Sequence, residues 1–76
     1  MKIYLHIGLF DPGNSLIEHQ LEINFDTVEE AEKHLFENGY YKRSTFIYTK
    51  DELYIVSIGS TLEIAWNRLM VFNRGI

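Results

Sequence analysis

The chain predicts a small α+β domain with the element order ββαββα, in which a mainly antiparallel sheet is packed by a helix over 27–38 and by a C-terminal helix over 61–73. Three observations lead there: period-two alternation in residues 2–10 and 16–25, a capped hydrophobic stripe Val28, Ala31, Leu35 and Phe36, and a second alternating pair near 46–58. Seventy-six residues make one domain, 1–76, because a chain of this size buries only roughly 60% of its unfolded surface and cannot divide that core.

The first hairpin turns at Asp11-Pro12-Gly13-Asn14, where proline presets φ and glycine accepts a positive φ. With Phe10 opposite Leu16, the ladder sets Leu9 against Ile17, Ile7 against His19, Leu5 against Leu21 and Ile3 against Ile23, one apolar face. The other face then carries Lys2, Tyr4, His6 and Gly8 beside Glu18, Gln20, Glu22 and Asn24. A one-residue slip would mix the two sets.

Asp26 or Thr27 caps the next helix, each having a glutamate three residues on, Glu29 or Glu30, to return a bond to the cap amide. Acidic residues in the first turn suit the helix dipole, and Asn38-Gly39 ends the helix. Residues 40–43 then read as a connector whose tyrosines cover the core. Phe46 to Thr49 and Leu53 to Ile58 form the second hairpin across Lys50-Asp51-Glu52, a turn without glycine that leaves the register open by one residue. Neither face of this hairpin is clearly polar, so both want cover. After Gly59, Ser60-Thr61-Leu62-Glu63 forms a capping box ahead of Leu62, Ala65, Trp66, Leu69 and Met70 at helical spacing. A strand is the competing reading there, because Ile64, Val71 and Phe72 favour β structure.

Composition narrows the function. The chain is 46% hydrophobic with a single proline, which is globular rather than disordered, and it has no cysteine for a disulfide, a thiolate metal site or a nucleophile. A cytoplasmic setting is expected, with no cofactor and no membrane partner: no apolar run approaches the ~20 residues of a span, and the opening residues lack a cleavage site. The three histidines do not converge on a metal in the expected register, where His6 and His19 occupy opposite faces and His34 stands on the helix. His19 and Glu32 both interrupt apolar faces and are expected either to meet as a polar pin or to lie at the core's edge with their heads in water. Ser44, Ser57 and Ser60 lack the context of a catalytic serine and no phosphate loop is present, so the chain is not expected to be an enzyme.

Charge is the stronger lead. Between residues 18 and 37, seven carboxylates stand against Lys33 alone, while the whole chain carries a net −4, so the remainder is slightly basic. Such a surface serves either to solubilise the chain or to dock on a basic groove, where complementary charge accelerates association and sets specificity. Tyr40-Tyr41-Lys42-Arg43 is the one basic and aromatic cluster, weak grounds for direct nucleic-acid binding. On the C-terminal helix, Ile64 and Val71 fall opposite Leu62, Trp66 and Leu69, leaving a second apolar strip for a homodimer or another partner.

In size, absence of cysteine, hairpins around a helix and acidic surface, the chain resembles the small inhibitors encoded by phages and other mobile elements, including anti-CRISPR and anti-restriction proteins. No residue motif carries the resemblance, so no site residue is transferred. It implies stoichiometric blockage of a host nucleic-acid-targeting complex, without catalysis, in the cytoplasm of a bacterial host. The alternatives are a small homodimeric regulator or toxin-neutralising protein, and a weak nucleic-acid-binding module. The residues expected at a partner interface are Glu18, Glu22, Glu29, Glu30 and Glu37 for electrostatic recognition and Tyr54, Ile64 and Val71 for apolar contact.

Overall fold

Segment 3–10 carries Ile3, Leu5, Ile7 and Leu9 on one side and Tyr4, His6, Gly8 and Phe10 on the other, with no carboxylate, lysine or arginine on either, and a strand of that kind belongs in the middle of a sheet with cover above and below. The computed structural model, which describes residues 2–13 and 15–74, places it there. The elements are β1 (Ile3–Phe10), β2 (Leu16–Phe25), α1 (Val28–Glu37), β3 (Tyr41–Ser44), β4 (Ile47–Lys50), β5 (Tyr54–Gly59) and α2 (Leu62–Arg74). They build one five-stranded sheet, order β2-β1-β5-β4-β3, in which every neighbouring pair is antiparallel.

The two helices lie on opposite faces. Ala31 and Leu35 of α1 pack with Ile3, Leu5, Tyr48, Val56 and Ile58, whereas Leu69 of α2 packs with Phe10, Ile47 and Ile55. Both faces of the β4–β5 hairpin are thereby covered, which explains its lack of a polar side. Thr27 is the cap of α1: its hydroxyl accepts from the Glu30 amide at 3.2 Å, and the Glu30 carboxylate accepts from the Asp26 amide at 3.4 Å. Asn38 ends the helix, its side-chain amide donating to the His34 carbonyl at 2.8 Å, and Gly39 follows at φ 87°. The segment 62–74 is a helix rather than a strand, and the Thr61 hydroxyl caps it by accepting from the Ile64 amide.

The register of the first hairpin departs from the expected ladder. Phe10 faces Leu16 as expected, but Leu9 faces Glu18, Gly8 faces His19, His6 faces Leu21 and Leu5 faces Glu22. A bulge at Ile17 inverts residues 18–22, and a second irregularity restores the phase so that Phe25 faces Ile3. Glu18, Gln20 and Glu22 therefore share the α1 side with Ile7 and Leu9, while His19 and Leu21 share the α2 side with His6. The reason is that neither face of β1 carries a carboxylate, lysine or arginine between Ile3 and Phe10, so the period-two pattern alone does not choose. Packing at Gly8 is close: a Cβ there would lie 2.7 Å from the Phe10 ring and 3.2 Å from Leu16, so only glycine lets both side chains fold across the strand. At the turn, the Gly13 and Ser15 amides both donate to the Asp11 carboxylate at 2.9 Å; Asn14 lies outside the described residues.

The expected connector at 40–43 is largely a strand. β3 pairs with β4 at the sheet edge, with Tyr41 opposite Thr49 and Lys42 opposite Tyr48, and its four residues are all exposed. Its charged centre hides it in the sequence and guards the edge against further pairing. The β4–β5 turn is Asp51-Glu52-Leu53, closed by Lys50 opposite Tyr54, and Asp51 and Glu52 take the left-handed region at φ 56° and 62°. Among the described residues no helix is long and apolar enough to cross a membrane.

Candidate functional site

The inverted stretch of β2 creates a polar concavity. A ten-residue α1 spans only about 15 Å, less than half of the ~33 Å length of β2, so one end of the β1–β2 surface is left open beyond the helix. There the bulge delivers Glu18, Gln20 and Glu22 as one wall of a cleft of about 240 Å³. Ile7, Leu9 and Leu35 floor it, His34 and Asn38 close it at the C-terminal end of α1, and Tyr40, Lys50 and Tyr54 form the opposite wall.

Electrostatics inside the cleft favour cations. The Lys50 ammonium sits 5.1 Å from the centre of the Tyr40 ring and 5.4 Å from that of Tyr54, within cation–π range of both. Its hydrogen bond to the Asn38 carbonyl is long, at 3.4 Å. Burial pushes the Tyr40 hydroxyl above its ordinary pKa, and the neighbouring Tyr54, Glu22 and Asp51 push the same way. Glu22 stands 3.7 Å from the His34 imidazole, an ion pair only when that ring is protonated. Glu18 forms no ion pair among the described residues.

Glu32 has a different task. Its carboxylate accepts from the Tyr48 hydroxyl at 2.6 Å and lies 3.6 Å from the Lys42 ammonium, so it pins α1 to the β3–β4 edge. Of the two alternatives for Glu32 and His19, the polar pin is corrected, because the bulge sends His19 to the other side of the sheet; His19 is exposed and Glu32 half-buried, each at the core's edge. His6 and His19, expected on opposite faces, instead share the α2 side with ring centres 6.3 Å apart, and Trp66 packs edge-on to both at 5.3 and 5.7 Å. His6 is buried and neither ring nitrogen closes a hydrogen bond among the described residues. Burial lowers its pKa; the Leu62 backbone partly opposes the shift and His19 adds to it. No cluster of three or more metal-ligating side chains occurs among the described residues.

The eight residues expected at an interface fall into three places. Glu18, Glu22 and Tyr54 come together in the cleft, so Tyr54 joins the acidic set rather than the apolar one. Glu29, Glu30 and Glu37 stand exposed on α1 on the same side of the sheet, with Glu30 also engaged in the helix cap. Ile64 and Val71, 40% and 69% exposed, line a shallow apolar groove with Ile47 and Phe72 across the sheet. A second apolar hollow on that side is lined by His6, His19, Leu21, Leu62, Glu63 and Trp66. Sequence reasoning missed Tyr40, Lys50 and His34 in the cleft. The one signal for the first two was their aromatic and basic character at the ends of short connections.

No protein-family model matches the chain, and no curated protein or solved structure gives a significant match.

Proposed function

We propose that the protein is a non-catalytic binding module that engages a basic surface of a partner protein through the α1 side of its sheet. Acting stoichiometrically, it inhibits a nucleic-acid-targeting complex of the kind phages oppose in a bacterial host. The observation that carries this reading is the β2 bulge, which groups Glu18 and Glu22 with Glu29, Glu30 and Glu37 on one side. Crowding carboxylates costs folding free energy through self-repulsion, and within that set the described residues supply one ion pair, His34 with Glu22. A cationic counterpart relieves that repulsion, and the cationic surfaces most complementary to an anionic face are those that proteins use for phosphate backbones.

Affinity capture from bacterial lysate tests the reading. Wild-type protein is expected to retain a nucleic-acid-binding protein that heparin or duplex DNA displaces, and Glu29→Lys/Glu37→Lys, which leaves the cap intact, is expected to lose it. Retention unaffected by charge reversal and by polyanions overturns the proposal. A second reading, self-association through the α2 side, is favoured by the exposure of Leu21, Leu62, Ile64 and Val71 there, and sedimentation across a concentration series decides it.

A further inference from the structure

We infer that the cleft at the C-terminal end of α1 is a receptor for a single arginine side chain of a partner protein. The inference rests on the reading of the α1 side as the partner-binding surface and adds what that surface reads.

Size is the first argument. At about 240 Å³ the cleft lies below the roughly 300–1,000 Å³ of sites for drug-sized ligands and suits one long side chain rather than a metabolite. Its chemistry is the second. Carboxylates at Glu18 and Glu22 stand on one wall, tyrosine rings on the other, and Ile7, Leu9 and Leu35 lie beneath. A guanidinium presents a weakly hydrated plane that stacks on an aromatic face and a fork of N–H donors that matches a carboxylate. An arginine stem, being apolar, fits the floor. Phosphate or carboxylate ligands are repelled by the same wall.

Lys50 provides the third argument. Its ammonium already lies over both Tyr40 and Tyr54, so the protein itself shows that the rings are placed to hold a cation. That ammonium is half-exposed, on a flexible stem, and held by one long hydrogen bond, so an incoming group displaces it at little cost. Lys50 thus acts as a placeholder. It shields the rings in the free protein and yields to a group that, unlike an ammonium, can pair in two-pronged fashion with Glu22 or Glu18. Glu22 has one basic neighbour within ion-pair distance among the described residues, the His34 imidazole at 3.7 Å, and its side chain keeps 30% of its surface exposed to an incoming group.

The test is an NMR titration of the full chain with acetyl-Gly-Gly-Arg-Gly-Gly-amide and with its citrulline counterpart, which keeps the shape and loses the charge. The arginine peptide is expected to shift Tyr40, Tyr54 and Glu22 resonances, and the citrulline peptide to leave them unchanged. Lys50→Met is expected to tighten binding about three- to tenfold by vacating the rings, and Tyr54→Ala and Glu22→Gln each to weaken it about tenfold, with the folded spectrum retained. Equal response to both peptides, or weaker binding by Lys50→Met, overturns the inference. Shifts confined to Glu29, Glu30 and Glu37 also overturn it while leaving the acidic side as the partner surface. Arginine bound in the cleft together with failure of every charge-dependent capture overturns the broader reading alone.

Discussion

Tyr48→Phe probes the contact that ties α1 to the far half of the sheet. Tyr48 is 1% exposed, and its hydroxyl donates to the Glu32 carboxylate at 2.6 Å, a charge-assisted bond of the class worth about 1.5–3 kcal/mol. Two features place the loss at the low end. The Glu32 side chain keeps 29% of its surface in water, and Lys42 at 3.6 Å continues to balance its charge after the hydroxyl is gone. The ring itself stays, including its edge-on contact with Phe36 at 6.0 Å, so no cavity term adds. The expected cost is ~1.5 kcal/mol, equivalent to a fall in Tm of roughly 6–12 °C for a domain of this size. Burial is the first cause that holds the Tyr48 hydroxyl far above its ordinary pKa, with the bond to Glu32 and its charge acting in the same direction, so the donor stays protonated at every pH of interest. Urea denaturation of wild type, Tyr48→Phe, Glu32→Ala and the double variant gives the coupling directly, expected at about 1 kcal/mol. A coupling under about 0.3 kcal/mol would refute the idea that this bond, rather than apolar burial alone, fastens the helix.

Gly59→Ala is expected to destabilise by about 2–3 kcal/mol in thermal unfolding, because its Cβ would sit 2.6 Å from the Ala65 amide nitrogen and 2.9 Å from the Ala65 Cα, and α2 must lift from the sheet to admit it. Glu52→Gly should act the other way by ~0.5–1 kcal/mol, since a φ of 62° strains a residue with a Cβ more than the added freedom of the unfolded glycine costs; a loss of stability in chemical denaturation argues against that turn geometry. His6 adds a pH dependence. Its folded pKa lies below the ordinary 6.5, so the unfolded chain binds more protons between the two values. The contribution is therefore intact above pH 6.5, declines as the pH falls below it, and levels off once the folded pKa is passed. Stability measured from pH 7.5 to 4.5 should lose that acid-side slope in His6→Phe, and an identical slope in both proteins would show that His6 is not its source.

Much of this architecture is written locally. The caps Thr27 and Thr61 stop the backbone from continuing as strand and satisfy helix-end amides through side chains three residues away, so α1 and α2 are legible from a few neighbouring positions. The same holds for the 46–58 hairpin, neither face of which is clearly polar and which therefore wants cover on both, and for the carboxylates concentrated between 18 and 37. Three features depend on tertiary contacts. β3 exists because β4 offers it a free edge, and nothing in Tyr41-Lys42-Arg43-Ser44 alternates strongly enough to announce a strand. The placement of His19 beside His6 and Trp66, and of Tyr54 beside Glu18 and Glu22, follows from the bulge at Ile17. With no carboxylate, lysine or arginine on either side of β1 between Ile3 and Phe10, strand alternation allows either phase, and the two faces are covered by different helices. The amino-acid order thus determined that the protein has an acidic stretch and surplus apolar surface, whereas only the folded sheet decided which side each faces, because a strand's facing is set by its neighbours and not by its own alternation.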